Sequence, residues 1–171
     1  MSALGERVGG PGRIYLTGGG TAVLHGWRTT TIDLDIKADP EPPNLFEALA
    51  ELKESIDMNI ELASPADFIP ELPGWRDRSP FIVRRSELEF FHYDLYSQAL
   101  SKIERSHDRD LADVRAMLDR ALVTCEKIWA FFHDIEARLI RYPAIEPAVF
   151  RSSVRVICGA QRNITDETSE T

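Results

Sequence analysis

The sequence has little cysteine and no long apolar run. Its two cysteines, Cys125 and Cys158, stand far apart rather than in pairs at metal-ligand spacing, so neither a zinc site nor a disulfide framework is expected. No apolar run approaches the roughly 20 residues that span a bilayer, and the N-terminal residues lack the basic-then-apolar order of a secretion signal. These absences predict a cytoplasmic protein with buried thiols and no membrane segment.

Positive charge is also scarce, since the formal net charge is -8 at pH 7. Broad, sequence-independent attraction to nucleic acid needs a cationic surface, and the chain as a whole lacks one. The C-terminal quarter has a local basic bias, in which Arg151, Arg155 and Arg162 would share one helical face. A solvated helix face is the simpler interpretation, and a patch that contacts an acidic acceptor stays open.

Strand-like patterns dominate the first half of the chain. Residues 31–38 and 56–62 alternate apolar and polar side chains, which is typical of half-buried strands, and residues 13–17 form a short apolar run. Apolar residues recur at helical spacing over 45–56. The segment 81–93 predicts an antiparallel hairpin. Aromatic residues such as Trp75 are interpreted as core residues rather than base-stacking platforms.

The second half is helical in pattern, and the order of elements indicates an α+β fold. That fold would be a small mixed β-sheet with covering helices, followed by a C-terminal helical bundle. The predicted organisation is an α/β core over residues 1–93, a helical region packed on the core over 94–162, and a flexible acidic tail over 163–171. The predicted helices of the second half cover 94–106, 110–122, 125–140 and 146–160.

Three consecutive glycines, Gly18, Gly19 and Gly20, follow the first predicted strand and precede a short apolar segment over 21–27. This order predicts a strand, a tight turn and a short helix. Glycines let the main chain approach a ligand closely, and N–H groups at a helix start attract phosphate oxygens. A phosphate-binding turn is one interpretation, and an ordinary turn is the other.

Asp33 and Asp35 occupy alternate positions of the next predicted strand, between Leu34 and Ile36, and so point the same way. Carboxylates two residues apart on a strand are about 6 to 7 Å apart at the backbone and can converge on Mg²⁺, which proteins usually hold by one or two carboxylates with phosphates and waters. Together with the glycines, they predict a phosphate cradle beside a metal clamp. Such a site suits in-line attack on phosphorus.

At this point the sequence resembles a known family. The stretch GGGTAVLHGWRTTTIDLDI resembles the signature of the nucleotidyltransferase superfamily that includes DNA polymerase beta, in which a Gly-Gly or Gly-Ser turn precedes an Asp-x-Asp strand. Together with KIERSHDRDLADV downstream, it is similar to small bacterial nucleotidyltransferase-like proteins related to the toxins of abortive-infection, type IV toxin–antitoxin systems. The resemblance spans about residues 13–120.

The resemblance implies a site residue by residue. Asp33 and Asp35 would be catalytic and would bind Mg²⁺. A third carboxylate on the neighbouring strand would act on the attacking hydroxyl, but the aligned position is close to Asn59, an amide, which leaves Glu61 or Asp57 as substitutes. Of these two, Glu61 is predicted to be the third catalytic carboxylate. The residues assigned to the nucleotide phosphates and their pocket are Gly18, Gly19, Gly20, Thr21, Arg28 and Thr31.

Lys102 has two interpretations. As a compact point charge it could reach a nucleotide phosphate. Alternatively it belongs to an ion-pair lattice with Asp110 and Asp113, in which Arg105 and neighbouring arginines take part. The sequence does not decide between them.

The leading functional hypothesis is a Mg²⁺-dependent nucleotidyltransferase that transfers a nucleoside monophosphate from a nucleoside triphosphate to a hydroxyl acceptor, which could be tRNA, a protein or a small molecule. The closer resemblance implies a toxin neutralised by an antitoxin protein. The alternative is a catalytically degenerate binding or regulatory module with the same fold. Metal-dependent phosphohydrolysis uses similar carboxylates, but no additional ligand cluster supports it here.

Overall fold

The computed structural model describes residues 1–56 and 58–167, with side chains as far as Gly159. The chain divides into two compact units. The first contains Met1–Ser64 and Gly74–Asp94, and the second contains Pro65–Pro73 and the residues from Leu95 onward. Within the described residues, no helix is both long enough and apolar enough to cross a membrane.

Within the described residues, the first unit is built on a five-stranded mixed sheet with the order β3-β2-β1-β5-β4. β1 is antiparallel to β2 and parallel to β5, β2 and β3 are parallel, and β4 and β5 form an antiparallel hairpin. The predicted mixed sheet and hairpin are therefore confirmed. The strands are β1 (Gly12–Thr17), β2 (Asp33–Ala38), β3 (Asn59–Leu62), β4 (Phe81–Arg85) and β5 (Leu88–His92).

A large apolar core cluster of this unit lies on one face of the sheet. Ile14, Ile36 and Ile60 come from three strands and are buried in one cluster with Leu45 and Leu49 of the covering helix α3. This face is apolar because strand side chains alternate between the two faces. The apolar stripe of α3, from which the helix was predicted, packs against it. The helices of the unit are α1 (Ser2–Gly5), α2 (Gly18–Leu24) and α3 (Leu45–Ile56).

The boundary between α3 and β3 differs from the prediction. The alternation predicts a strand from residue 56, but α3 continues to Ile56 and β3 begins at Asn59. Ile56 fits both patterns, and a helix that is already formed extends readily where no glycine or proline interrupts it. Asp57, the alternative to Glu61 as the predicted third carboxylate, lies outside the described residues.

An aromatic cluster lies on the opposite face of the sheet, since Tyr15 alternates with the core residue Ile14. Trp75 stacks on Tyr93 with ring centroids 4.3 Å apart and meets Tyr15 edge-on at 4.8 Å. The guanidinium of Arg76 lies 4.4 Å from the Trp75 ring centroid. Trp75 is only 1% exposed, and it is therefore a core residue, as predicted.

The second unit is helical. Helix α4 packs against α5, α6 and α7, and Leu100, Ile128, Phe132 and Val154 are completely buried there. The predicted C-terminal helical bundle is confirmed. Its helices are α4 (Leu95–Arg105), α5 (Asp108–Asp119), α6 (Cys125–Glu136) and α7 (Pro147–Glu167), with 3₁₀ turns at Pro65–Asp67 and Leu139–Arg141.

Helix α7 extends beyond its predicted end at residue 160 and reaches Glu167. Residues 168–171, the end of the predicted flexible tail, lie outside the described residues. Cys158 is buried within α7, Cys125 is half-buried at the start of α6, and both are free thiols. The expectation of two buried thiols therefore holds fully only for Cys158.

Candidate functional site

Asp33 and Asp35 lie on the polar face of β2. Strand side chains alternate between faces, and Ile36 is buried in the core cluster, so Asp33, Asp35 and Lys37 lie on the opposite face. Asp33 is exposed and Asp35 is half-buried. β1 runs antiparallel beside them, with Thr17 paired to Asp35. Two carboxylates therefore stand together near the point where β1 ends.

The glycine segment begins where β1 ends and lies against Asp35. Gly18 follows Thr17 and has a φ of +56°, which L side chains rarely adopt. A Cβ atom at Gly18 would lie 2.7 Å from Oδ2 of Asp35, closer than non-bonded atoms approach. Both the backbone conformation and the carboxylate require glycine here. The structure thus brings the predicted phosphate turn and a predicted metal ligand together.

Gly19 and Gly20 lie close to the start of β2 and the residues just before it. A Cβ atom at Gly19 would lie 2.1 Å from Oγ1 of Thr31, and one at Gly20 would lie 2.6 Å from Cδ1 of Leu34. Helix α2 begins at Gly18, so the predicted turn is the first turn of a helix. Glycine is a poor helix former, and the close approach to β2 explains why glycines occupy this turn.

Gly19→Ala is expected to lower the free energy of unfolding by about 2 kcal/mol, because the added methyl group overlaps Thr31 and overpacking commonly costs about 1–3 kcal/mol. Gly159→Ala is the matched control, since Gly159 lies within α7 and a Cβ atom there meets nothing within 4 Å. The control should gain about 0.5–1 kcal/mol, because alanine is the better helix former. Urea unfolding measures both, and equal changes would contradict the close approach at Gly19.

β3 places two further polar residues beside the carboxylates. The register pairs Asn59 with Asp33 and Glu61 with Asp35. Nδ2 of Asn59 donates to Oδ1 of Asp33 at 3.1 Å and to Oε1 of Glu61 at 2.8 Å, so the amide joins two carboxylates across neighbouring strands. An amide cannot accept a proton as a base does. Of these two β3 residues, Glu61 is the one that can act as a base.

Asp33 and Asp35 fit a hard divalent cation. Carboxylate oxygens suit Mg²⁺, which usually completes its shell with substrate phosphates and water. Within the side chains that the structure describes, no group of three His, Cys, Asp or Glu residues could hold a metal ion. A cation bound by Asp33 and Asp35 would need further oxygen ligands, which substrate phosphates and water can supply.

Thr31 and Arg28, which were predicted to flank the nucleotide, lie in the segment that connects α2 to β2. Oγ1 of Thr31 donates to the carbonyl oxygen of Asp33 at 2.8 Å. The Oγ1 atom of Thr31 also faces Gly19. Thr31 therefore borders the glycine segment and fixes the start of β2. Arg28 is half-buried in the connecting segment.

Thr21 is held in the interior of the first unit. It is 0% exposed, and its hydroxyl donates to the carbonyl oxygen of Leu16 at 3.0 Å. Nδ1 of His92, on β5, lies 3.3 Å from the same hydroxyl oxygen. Because the hydroxyl proton is directed to Leu16, the imidazole donates from Nδ1. The Thr21 side chain thus anchors α2 to β1 and β5, and any contact of Thr21 with a phosphate would involve its main chain.

His92 makes stability depend on pH. Burial, reinforced by the His25 ring at 4.3 Å between centroids, lowers the pKa of His92 to about 4, whereas an unfolded histidine titrates near about 6.5. Between these values the unfolded chain binds the proton more readily, so stability falls as the pH falls from about 6.5 to about 4.

We expect His92→Gln to lose about 2 kcal/mol less unfolding free energy than the wild type when the pH is lowered from about 7 to about 4.5. Glutamine keeps an N–H donor for Thr21 but does not titrate. His107→Gln, at the exposed residue before α5, should behave like the wild type. Urea unfolding at the two pH values measures the difference, and equal losses in His92→Gln and the wild type would contradict it.

Lys102 lies in the second unit and is engaged there. Its Nζ lies 2.9 Å from Oδ1 of Asp110 and 2.7 Å from Oδ2 of Asp113, and its side chain is 4% exposed. Arg105 makes a further pair with Asp110 at 2.9 Å. These contacts support the ion-pair interpretation of Lys102.

Lys37 is a cation on the polar face of β2 that was not assigned to the site from the sequence. It follows Asp33 and Asp35 at the same two-residue spacing. Its ammonium lies 5.8 Å from the centroid of the Trp75 ring, and no acidic side chain among the described residues forms an ion pair with it. The alternation that places Asp33 and Asp35 on one face also includes Lys37. The same pattern could therefore have assigned Lys37 to the site from the sequence.

Comparisons with known proteins place these features in a family. A search of curated proteins and a search of solved structures found no match. One family model matches residues 11–144, which is more than half of the chain and includes the glycine segment and β2. The chain therefore belongs to DUF6036, a family described as nucleotidyltransferases of unknown function.

Proposed function

We propose that this protein is a cytoplasmic, Mg²⁺-dependent nucleotidyltransferase that transfers a nucleoside monophosphate from a nucleoside triphosphate to a hydroxyl group of an acceptor. The contact between Gly18 and Asp35 carries the proposal, because it sets a segment that phosphates can approach against a carboxylate that can bind a cation. Membership of a nucleotidyltransferase family supports the transferase class.

Each group has a separate role in the proposed reaction. The glycines at 18–20 let the triphosphate approach main-chain N–H groups at a helix start. Asp33 and Asp35 would hold the cation, which when bound offsets the negative charge of the phosphates. Glu61, which accepts a hydrogen bond from Asn59, takes the proton from the acceptor hydroxyl.

The bonds balance as in any nucleotidyl transfer. The acceptor oxygen forms a bond to the α-phosphorus, and the bond from that phosphorus to the oxygen bridging the β-phosphate breaks. Pyrophosphate leaves with that oxygen and its electron pair. Lys37, on the same face of β2 as Asp33 and Asp35, is placed to attract the leaving pyrophosphate as a point charge.

Labelled nucleotides test the proposal directly. The purified chain is incubated with Mg²⁺, each α-labelled triphosphate, and total tRNA or a protein extract. Label should enter the macromolecular fraction, and pyrophosphate should appear in equal amount. A γ-labelled triphosphate is the matched control and should leave the acceptor unlabelled, because the γ-phosphate leaves with pyrophosphate. Transfer of the γ label would identify a different reaction and contradict the proposal.

A non-catalytic binding or regulatory module is the second candidate. Asn59 favours it, because the superfamily resemblance places a third carboxylate close to this position and an amide cannot replace it as a base. Calorimetry with a non-hydrolysable triphosphate and Mg²⁺ separates the two candidates. Binding with no transfer to any acceptor would support the module, and the absence of binding would contradict both.

A toxin role, neutralised by an antitoxin protein, is a finer part of the proposal. It is supported by the resemblance of residues 18–36 and 102–114 to toxin-related nucleotidyltransferase-like proteins. Induced expression in a bacterial host tests it. Growth arrest that requires Asp35 is expected, and undisturbed growth would contradict the role.

A further inference from the structure

An apolar groove lies between α3 and β3. It has a volume of about 370 Å³, and its apolar lining comes from Phe46, Leu49 and Ala50 of α3 and from Ile60 and Leu62 of β3. Phe46 is 60% exposed and Leu62 is 44% exposed. Large apolar side chains that cluster at the surface mark binding sites more often than single ones do.

β3 also directs main-chain groups outward, because it is the terminal strand of the described sheet. The N–H groups of Asn59 and Ala63 donate to β2, at 3.3 Å to Ile32 and at 3.1 Å to Ile36. Ile60 and Leu62, which alternate with these residues, therefore turn their N–H and C=O groups to the open edge. An extended peptide can pair with such an edge and place side chains in the adjoining groove.

The apolar lining and the main-chain groups of β3 favour a peptide over a nucleic acid. The charged residues that line the groove are one lysine, Lys53, and one glutamate, Glu61. A phosphate backbone would find no excess of positive charge there, and it has no ladder of N–H and C=O groups to pair with a strand edge. An extended polypeptide with apolar side chains at alternate positions complements both the groove and the edge.

Glu61 connects the groove to the proposed reaction. It belongs to the strand that lines the groove, and its side chain lies on the opposite, polar face of that strand, where it is the register partner of Asp35. A strand added beside β3 would place one of its side chains about 5 Å from that of Glu61. A Ser, Thr or Tyr hydroxyl at that position would lie within reach of the proposed base.

We propose that β3 and this groove bind an extended polypeptide segment with apolar residues at alternate positions, and that a hydroxyl group on the segment is the nucleotidyl acceptor. The acceptor is then a protein. The identity of the acceptor rests on the proposed function, whereas the binding of the peptide does not.

The first test is selection of peptides. A displayed library of random nonapeptides is selected on the wild-type chain and counter-selected on Leu62→Lys, because a charged side chain on an edge strand blocks pairing. The expected sequences alternate apolar residues with Ser, Thr or Tyr. Failure to enrich any such sequence over the counter-selected variant would overturn the proposal.

The second test measures affinity with a matched control. By fluorescence anisotropy, an enriched peptide should bind Phe46→Ser and Leu62→Lys at least about tenfold more weakly than the wild type. Phe81→Ser should bind it unchanged, since Phe81 is 58% exposed but lies on β4 at the other edge of the sheet. Equal binding by the variants and the wild type would overturn the proposal, as would labelled tRNA that binds the wild type and is lost from the two groove variants.

Peptide binding and nucleotidyl transfer are measured in separate assays, so the failure of one proposal can be told from the failure of the other. Label on the hydroxyl of the bound peptide would support both the groove and the transferase function. Peptide binding without transfer to any acceptor would support the groove and contradict the transferase function. Transfer to another acceptor without peptide binding would support the transferase function and overturn the groove.

Discussion

Asp35→Asn is expected to lower kcat for nucleotidyl transfer by at least about 10³-fold, and Asp33→Asn by a similar factor. Asparagine keeps the shape of aspartate but removes the charge that would hold a divalent cation. A loss of about 4 kcal/mol of transition-state stabilisation corresponds to this factor. The measurement is transfer of an α-labelled nucleotide at saturating triphosphate and Mg²⁺.

Asp77→Asn is the matched control for this prediction. Asp77 is an exposed carboxylate of the same unit, and its replacement removes the same charge away from β2, so kcat should change by less than about twofold. Asp33→Asn should also keep the unfolding free energy of the wild type, because Asp33 is exposed. Unchanged kcat in both β2 variants would exclude the mechanism of two metal-binding carboxylates.

Local patterns predict the parts of the fold that depend on neighbours in sequence. The alternation around Asp33 and Asp35 predicts both β2 and the face that the aspartates share, because side-chain direction in a strand is a local property. The stripe over Leu45–Ile56 predicts α3 for the same reason. Strand order is different, since the pairing of Asp33 with Asn59 depends on the path of the chain through α3. No local pattern specifies that register.

Tertiary packing decides which predicted residues face the site. Glycine disfavours helices, so local reasoning predicts a turn at residues 18–20, yet α2 begins at Gly18. Glycines are required there by residues elsewhere in the sequence, because Asp35 and Thr31 leave no space for side chains at positions 18 and 19. In the same way, Thr21 turns inward to a partner, His92, that follows it by 71 residues. The motif predicts which residues form the site, and only packing orients their side chains.

Lys102→Met is expected to lower the free energy of unfolding by about 3 kcal/mol. The substitution leaves Asp110 and Asp113 without the ammonium that they share, and removal of one partner from a buried ion pair typically costs about 3–5 kcal/mol. The lower end of that range is expected because Arg105 still contacts Asp110. Urea unfolding at neutral pH measures the change.

Lys127→Met is the matched control, since Lys127 is exposed on α6, and it should change stability by less than about 0.5 kcal/mol. Adding Asp113→Leu to Lys102→Met removes a buried carboxylate that has lost the Lys102 ammonium and should recover part of the loss. Unchanged stability of Lys102→Met, together with a raised KM for the triphosphate, would instead assign Lys102 to phosphate binding. Asp113 has a side chain only 3% exposed and needs a cation beside it, so Lys102 could not reach a substrate without destabilising the helical unit.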